Sequence, residues 1–321
     1  MKKWFYIVVL FVLAGCTYNP AELNTPLTIQ ELTTMPEPKA CAVACALNDD
    51  FYIFGGRDTQ YSSDLWCFHG SDSSWTKIET PLQPCVNAAL VTDGQHLFIG
   101  LGFNGGEIYN NDSYPNDWWC YEPTNSVWTQ LSSYPSHATN RPIAGYYHDT
   151  IYLAFGSDGN ISDTIYAYDI ASDSWSRVAH HHAPEARMAV AGTFKDALFY
   201  TGLGFRTSCY SEWYSASVTD WIFSEHSAVP SKGRILSACT ATSEYIYIFG
   251  GRYFHGEYTG GEVFKDFFRF DTQALTWTRC GNMPCGDAEN QIAFTYHSKA
   301  CFGLGEHDNG QLISTIYCIE E

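Results

Sequence analysis

Short apolar runs recur along the chain, and each run ends in a glycine pair or a variant of it. The last glycines of successive runs are 46 to 54 residues apart, which indicates six copies of one sequence repeat. A glycine retained at the end of a β-type run marks a positive φ or a close backbone approach, where a Cβ atom would collide. The six runs cover residues 52–56, 98–102, 152–156, 199–204, 247–251 and 301–305.

Each of the first five glycine runs is followed by an aromatic residue and, seven positions later, by a tryptophan. A short β-type run precedes the tryptophan, a proline follows it, and a second β-type run leads into the next glycine. No stretch shows the helical period, so each unit predicts four short strands and the chain predicts an all-β fold. The aromatic–tryptophan pairs are Phe68 with Trp75, Tyr121 with Trp128, Tyr168 with Trp175, Tyr214 with Trp221, and Phe270 with Trp277.

The glycine pair, the spaced aromatic and tryptophan, and a period of about fifty residues resemble kelch repeats. The resemblance covers nearly everything after residue 26, with a full Gly-Gly pair in two units and a degraded pair in four. It implies a six-bladed β-propeller of the kelch type, in which each unit forms one four-stranded blade around a central channel.

The two chain ends predict how the ring closes. The sixth unit stops after its third strand at residues 315–319 and has no tryptophan. Residues 28–32, near the N-terminus, match the fourth strands that begin at Trp128 and Trp277. We expect this N-terminal strand to complete the last blade and to remove both exposed sheet edges. Residues 27–321 are therefore expected to form a single propeller domain.

The N-terminus resembles a bacterial lipoprotein signal. Two lysines precede an apolar run that is too short to span a bilayer, and Leu13-Ala-Gly-Cys16 is similar to a lipobox. The resemblance implies a signal peptide over residues 1–15, lipid transfer to Cys16, and a tether over residues 16–26. The expected location is the bacterial cell envelope, as an outer membrane lipoprotein facing the periplasm or the exterior. An ordinary signal peptide with a chance cysteine is the alternative.

The composition excludes some functions without indicating a ligand. Aromatic residues make up 16% of the chain and charged residues another 16%, which excludes a disordered chain. The net charge of −18 argues against a nucleic-acid partner, because phosphate recognition needs a basic surface. No motif indicates a cofactor. We expect a monomer whose membrane contact is the lipid anchor alone.

Eleven cysteines follow the lipobox in a chain that is expected to be exported. Cys67, Cys120 and Cys318 share one third-strand position in different blades, too far apart for disulfides, and are expected to be small buried hydrophobic residues. Cys280 and Cys285 flank a strand end and form the one candidate disulfide, with two free thiols as the alternative.

Two sequence features suggest metal sites but are explained better by loops. Residues 180–182 are three histidines between a strand and a proline, without carboxylate or cysteine partners at ligand spacing. Residues 158–163 hold two aspartates but lack the spacing and terminal glutamate of an EF-hand, so a tight turn is expected. The sequence therefore predicts no metal site.

Six of the nine arginines fall on one face of the expected propeller, where the longest loops also emerge. The second-to-third-strand loops and the blade-to-blade loops surround one mouth of the channel there, and such loops commonly carry function. Guanidinium groups gathered at a mouth favour an acidic ligand. The candidate ligand-binding residues are Arg57, Arg187, Arg206, Arg234, Arg252 and Tyr253. The catalytic residues are unknown, with Glu107, Glu257 and Glu306 as candidates.

Two function classes follow, with a purely structural scaffold as a third. In the first and preferred class, the propeller binds a glycan, such as an acidic sugar, or a protein at this mouth without chemistry. The second rests on a resemblance to periplasmic six-bladed kelch sialic acid mutarotases. That resemblance implies arginines that hold the substrate carboxylate and a Glu or His that moves a proton. The arginines also have an alternative role, because those that enter inner strands can tie neighbouring blades together.

Overall fold

The computed structural model describes residues 21–22, 26–136, 139–180, 186–254 and 261–320. Within these ranges the chain consists of short strands and connecting turns, with a 3₁₀ turn at Asn111–Ser113. No helix in the described ranges is long and apolar enough to cross a membrane. The prediction of an all-β fold is confirmed.

The strands follow one another at short intervals along the chain. In chain order they are β1 Ala21–Glu22, β2 Thr28–Thr34, β3 Val43–Leu47, β4 Asp50–Phe54, β5 Leu65–His69, β6 Ser74–Ile78, β7 Ala89–Thr92, β8 Leu97–Gly100, β9 Trp118–Glu122, β10 Val127–Gln130, β11 Ile143–Tyr147, β12 Thr150–Ala154, β13 Thr164–Asp169, β14 Ser174–His180, β15 Ala191–Lys195, β16 Leu198–Gly202, β17 Trp213–Ser217, β18 Ser224–His226, β19 Ala238–Ala241, β20 Tyr245–Phe249, β21 Arg252–Phe254, β22 Gly261–Val263, β23 Asp266–Asp271, β24 Thr276–Asn282, β25 Ile292–Tyr296, β26 Lys299–Gly303 and β27 Thr315–Glu320.

Apart from β1, β21 and β22, the described strands form six four-stranded antiparallel sheets, each one blade of a propeller. Blades 1 to 4 are the consecutive meanders β3–β6, β7–β10, β11–β14 and β15–β18. Blade 5 contains β19, β20, β23 and β24, with the hairpin of β21 and β22 inserted, and blade 6 contains β25, β26, β27 and β2. The first strands of the blades contact one another in a closed circle in the order β3, β7, β11, β15, β19 and β25, and then β3 again. The six-bladed propeller is confirmed.

The N-terminal strand completes the last blade, as predicted. β2 pairs antiparallel with β27, and Ile29 faces Ile319 in this register. Within the segment expected to be a tether, β1 pairs parallel with Thr278 and Arg279 at the outer edge of blade 5. The predicted signal peptide and Cys16 lie outside the described residues.

The repeated aromatic–tryptophan pairs are direct cross-strand neighbours in blades 1, 2, 3 and 5. In blade 1, the ring centroids of Phe68 and Trp75 are 5.2 Å apart. Blade 4 differs, because Trp221 lies in the turn before β18 with a φ of 54°. Its ring packs on Tyr152 of blade 3 with centroids 5.3 Å apart. The turn of blade 4 therefore takes the tryptophan off the strand but leaves it in contact with the neighbouring blade.

The apolar core lies between neighbouring blades. Phe51 of blade 1 is fully buried, and its ring centroid is 4.9 Å from that of Phe294 in blade 6. Phe249 of blade 5 stacks on Phe302 of blade 6 with centroids 4.2 Å apart. Burial of one such side chain contributes about 1.5–3 kcal/mol, so side-chain packing between the blades stabilises the ring.

The cysteine predictions need one correction. Cys318 forms a disulfide with Cys301, which is its direct cross-strand partner on β26, and it is therefore not a free small hydrophobic residue. A comparison of equivalent positions in different blades overlooks a partner on the adjacent strand of the same blade. No disulfide joins Cys280 and Cys285, so the candidate disulfide between them is wrong. Cys67 is buried, as predicted, whereas Cys120 is only partly buried, and neither forms a disulfide.

Candidate functional site

The glycine pairs shape the backbone where each blade meets the mouth of the channel. Both positions of every pair have a positive φ, whether the first is glycine, leucine or phenylalanine. A Cβ atom on Gly102, at the second position of its pair, would lie 2.7 Å from the carbonyl oxygen of Val86. This close approach lets the residue after each pair form a β-bridge with the chain that enters the inner strand. These residues, here the post-glycine ring, are Arg57, Phe103, Ser157, Phe205, Arg252 and Glu306.

A second ring of residues lies at the entry to the inner strands. All six are non-glycine residues with φ between 51° and 63°, in the left-handed region, which costs about 1–2 kcal/mol for each L-residue. Hydrogen bonds between successive blades stabilise this backbone: Asn87 N donates to the Cys41 carbonyl at 2.8 Å, and Arg141 N donates to the Asn87 carbonyl at 3.0 Å. We call this set the left-handed ring: Cys41, Asn87, Arg141, Ala189, Leu236 and Asn290.

The inner strands enclose a central channel of about 460 Å³. Small residues such as Ala44, Ala144 and Gly192 line its wall, together with Arg141 from the left-handed ring. A volume in this range accommodates a small molecule. The two rings form the mouth through which such a molecule would approach.

A polar sector occupies the part of the mouth formed by blades 5, 6 and 1, and Arg141 of blade 3 reaches into it. Arg57 Nη2 donates to Glu306 Oε1 at 2.6 Å, and Asn290 Nδ2 donates to the same oxygen at 2.9 Å. Arg141 Nη2 donates to Asn290 Oδ1 at 2.5 Å. The guanidinium side chain of Arg57 is 33% exposed, whereas Glu306 is nearly buried. A cation therefore faces solvent above a carboxylate that is held in a hydrogen-bond network.

Arg252 extends the polar sector on the blade 5 side. Its Nε and Nη2 donate to the two carboxylate oxygens of Glu289, each at 2.8 Å, and Nη2 also donates to Asp308 Oδ1 at 2.9 Å. The hydrogen bonds to Glu289 raise the pKa of Arg252 above its usual value. A β-bridge joins Glu289 to Glu306, so both ion pairs belong to one cluster. Cations and carboxylates alternate here, and the sector can offer donors and acceptors to one ligand.

The opposite part of the mouth is aromatic. Phe103 of blade 2 lies between Tyr61 and Tyr114, with ring centroids 6.2 and 5.2 Å away. Phe205 of blade 4 packs edge-on against Phe254, with centroids 4.9 Å apart. The mouth thus presents ionic groups on one side and ring faces and edges on the other.

Two of the candidate arginines lie inside blades. Arg234 is fully buried, donates to Asp266 and to the Gly250 carbonyl at 2.9 Å each, and lies 4.0 Å over the ring of Phe264. Arg187 is also buried, and its Nη1 donates to Glu212 Oε2 at 3.2 Å. Both side chains make these contacts within their own blade, whereas the alternative role expected of such arginines is to tie neighbouring blades together. The structure does not bring them into the cluster of Arg57 and Arg252.

The remaining predicted site residues lie apart from this cluster. Arg206 donates to the Ala186 carbonyl at 3.3 Å on an exposed loop, and Tyr253 lies on the inserted hairpin with the Lys232 ammonium 5.8 Å from its ring centroid. Glu107 is exposed in the loop after β8. Glu257 lies outside the described residues, as do the histidines at 181 and 182.

Sequence reasoning missed three partners of the mouth arginines, namely Glu289, Asn290 and Asp308. Residue type gives no signal for them, because acidic residues and asparagines are frequent in all the loops. The repeat itself carries a weak signal, since Asn290 occupies the position that Arg141 occupies in blade 3. Comparison of equivalent positions in all blades would have placed both residues at the mouth.

Sequence comparisons agree with the observed repeats. The KLHDC2/KLHL20/DRC7 Kelch-repeats domain matches residues 16–156, and the Kelch motif matches residues 233–284. Kelch-like protein 30 of Homo sapiens is 24% identical over 203 residues, which are 49% of this chain and 34% of that protein. The chain therefore spans about a third of the length of this relative.

Two further relatives carry the names of enzymes. N-(sulfonatooxy)prop-2-enimidothioate sulfolyase of Thlaspi arvense is 24% identical over 293 residues, covering 76% of this chain and 80% of that protein. N-acetylneuraminate epimerase of Pasteurella multocida (strain Pm70) is 28% identical over 151 residues, covering 35% of this chain and 40% of that protein.

A solved structure shares the fold over almost its full length. The structure of YjhT superimposes with a TM-score of 0.75 at 13% sequence identity, covering 90% of this chain and 99% of that one. At this identity the similarity supports the fold alone. With the six sheets, the glycine pairs and the matching repeat models, the chain is a six-bladed β-propeller built from kelch repeats.

Proposed function

We propose that this protein is a membrane-tethered propeller outside the cytoplasm that binds a glycan at the mouth of its channel, with an acidic sugar as the first candidate. The observation that carries the proposal is the polar sector, where Arg57 and Arg252 lie beside Glu306 and Glu289. An acidic sugar has a carboxylate for the guanidinium groups and hydroxyls for the carboxylates. A protein ligand is the second possibility for the same mouth.

The channel and the aromatic part of the mouth support a sugar-sized ligand. Phe103 and Phe205 offer apolar ring surface on the side away from the ionic groups. A sugar has one polar edge and one C–H-rich face, and a pocket with a few convergent polar groups and aromatic walls suits both. The charges of the polar sector largely compensate one another, so recognition would depend on placed hydrogen bonds more than on net charge.

The proposal is tested by calorimetric titration of residues 17–321, which contain the whole propeller, with N-acetylneuraminate and with neutral sugars. A hydrogen bond to a charged group is worth about 1.5–3 kcal/mol, so Arg57→Ala should weaken binding of the acidic sugar about ten- to a hundredfold. Arg57→Lys keeps the positive charge beside Glu306 but should not restore a bidentate hydrogen bond to the sugar carboxylate. Equal binding of neutral sugars would contradict the choice of ligand.

Arg177→Ala is the matched control, because Arg177 lies exposed on β14 at the outer side of blade 3. Its loss should leave sugar affinity unchanged. If Arg57→Ala lowers the melting temperature but not the affinity, the mouth arginine has a structural role and the proposed site is wrong. Binding of a protein from the same envelope, with no sugar bound, would favour the second possibility.

The membrane tether is a separate part of the proposal and rests on residues 13–16. Cys16→Ser should prevent incorporation of labelled fatty acid and release the chain from the membrane fraction, because the thiol is the expected acceptor of the lipid. Replacement of the neighbouring Thr17 by Ser should change neither result. Absence of label from the wild-type chain in its host would contradict the tether.

The similarity to N-acetylneuraminate epimerase favours a second candidate function, an isomerase that acts on the same class of sugar. Glu306 would then move the proton, since it is the candidate carboxylate that lies within the polar sector. Saturation-transfer NMR between the anomers of N-acetylneuraminate separates the two functions. A catalyst speeds exchange and Glu306→Gln slows it, whereas a binding protein leaves the exchange rate unchanged.

A further inference from the structure

A second cluster of reactive side chains lies in blade 1, at the end of the propeller away from the mouth. Asp50 is the first residue of β4 and faces His69 across the sheet, while Cys67 precedes His69 by two positions on β5. Residues two apart on a strand point to the same face, and so do direct cross-strand partners. The register thus brings a carboxylate, a thiol and an imidazole together on one face of the blade.

The three donor atoms form a compact triangle. His69 Nδ1 lies 3.2 Å from Asp50 Oδ2, and Cys67 Sγ lies 3.7 Å from each of them. Zinc bonds of about 2.3 Å to sulfur and about 2.0–2.1 Å to nitrogen or oxygen, at tetrahedral angles, separate nitrogen from oxygen by about 3.3 Å. The same bonds separate sulfur from either atom by about 3.6 Å. The triangle matches three corners of a tetrahedral zinc site.

The surroundings of the triangle suit a metal as well. His69 Nε2 lies 2.9 Å from the Thr76 hydroxyl, a partner that can accept the ring proton and leave Nδ1 free as a ligand. The three residues line a cleft of about 460 Å³ between blades 1 and 2, which leaves room for a fourth ligand such as water. A thiolate and a carboxylate would balance the charge of a divalent cation.

Equivalent positions in other blades do not form such a cluster. Blade 2 carries the same donor types at these positions, His96, Cys120 and Glu122, but the His96 ring is held 2.9 Å from Asp93 of its own turn. In blade 6 the corresponding thiol, Cys318, is bound in the disulfide. Among the described residues, the cluster of three donor types is therefore a property of blade 1 and not of the repeat.

We propose that Asp50, Cys67 and His69 bind a zinc ion, with a water molecule or a small ligand in the fourth position. This site is independent of the sugar site at the mouth. Binding requires the thiolate form of Cys67, so zinc uptake should release a proton and should weaken as the pH falls.

The test uses residues 17–321 freed of metal with a chelator and then dialysed against zinc or cobalt. We expect one zinc per chain and, with cobalt, a thiolate charge-transfer band together with the intense visible bands of a tetrahedral ion. Cys67→Ala should abolish the charge-transfer band and weaken zinc binding more than about a hundredfold, and Thr76→Val should weaken it about ten- to a hundredfold.

Cys120→Ala, at the equivalent position of blade 2, is the matched control and should change neither zinc content nor the cobalt spectrum. If Cys67→Ala does not fold, Asp50→Asn tests the same site at a more exposed position. The proposal is overturned if the folded wild type takes up no stoichiometric zinc. It is equally overturned if the cobalt thiolate band persists in Cys67→Ala, since the metal would then be bound elsewhere.

Discussion

At the scale of single residues, the mouth depends on backbone conformations that few side chains tolerate. The first position of each glycine pair has a φ between 52° and 66° and accepts leucine or phenylalanine in four blades. The second has a φ between 82° and 99° and is glycine in all six. The difference follows from both the backbone angle and the carbonyl oxygen that faces the second position, as at Gly102.

Two glycines with almost equal φ allow the effect of the backbone angle to be measured separately from the effect of the facing carbonyl oxygen. Gly102 has a φ of 99° and would place a Cβ 2.7 Å from the Val86 oxygen, whereas Gly94 has a φ of 92° and open space around a Cβ. Gly94→Ala should cost about 1–2 kcal/mol from backbone strain alone, and Gly102→Ala about 1–3 kcal/mol more from the collision. Denaturant unfolding measures both, and equal losses would show that the collision contributes nothing.

At the scale of the strands, register and not residue spacing determines the contacts that matter. Cys301 and Cys318 are opposite one another on β26 and β27, which permits the disulfide. Trp221 does not lie on the fourth strand of blade 4, because β18 begins three residues after it. The ring closure shows the same dependence, because β2 must reach the free edge of β27 in a register that buries its apolar side chains.

Removal of β2 is expected to open the ring. A chain that begins at residue 35 should expose the edge of β27, associate through it and melt at a much lower temperature. A chain that begins at residue 27 keeps β2 and, of the contacts of the described residues, loses the two-residue pairing of β1, so its melting temperature should stay near that of the longer chain. Light scattering after size exclusion and a thermal melt compare the two. Similar behaviour of both truncations would contradict closure by β2.

At the scale of the whole molecule, the closed ring brings together residues that are far apart in the chain. Arg57 and Glu306 are separated by 249 positions and yet are 2.6 Å apart, because blade 6 adjoins blade 1. The polar sector exists only when blades 5, 6 and 1 are adjacent. The ring also carries a large net negative charge. The net charge of the full chain is −18, and removal of Lys2 and Lys3 with the predicted signal peptide would change it to −20.

This excess of negative charge predicts a salt-dependent stability. Self-repulsion in the folded ring should be screened when salt shortens the Debye length from about 30 Å at 0.01 M to about 10 Å at 0.1 M. The melting temperature should then rise at neutral pH, by about 2–4 °C for each kcal/mol gained. Near pH 4.8, where the net charge approaches zero, the rise should disappear. A melting temperature that does not change with salt concentration at neutral pH would show that the ion pairs outweigh the repulsion.

The candidate site is predictable from the sequence only in part. The sequence places Arg57 and Arg252 at the mouth because each directly follows a glycine pair, whose backbone is the same in every unit. It does not predict that Arg252 pairs with Glu289, since that contact depends on two side chains from neighbouring blades. Nor does it separate Arg234, whose side chain turns into its own blade, from the arginines that remain near solvent.

The sequence by itself determined the repeated unit, the six blades and the strand that closes the ring. Glycine positions, alternation of apolar residues and the spaced aromatics encode local backbone shape and one-sided burial, and these properties are repeated in each unit. The tertiary structure decided the disulfide of Cys301 with Cys318, the polar sector at the mouth, and the cluster of Asp50, Cys67 and His69. Each of these contacts joins side chains on different strands or blades, and its distance depends on strand register and blade packing, which residue spacing along one strand does not specify.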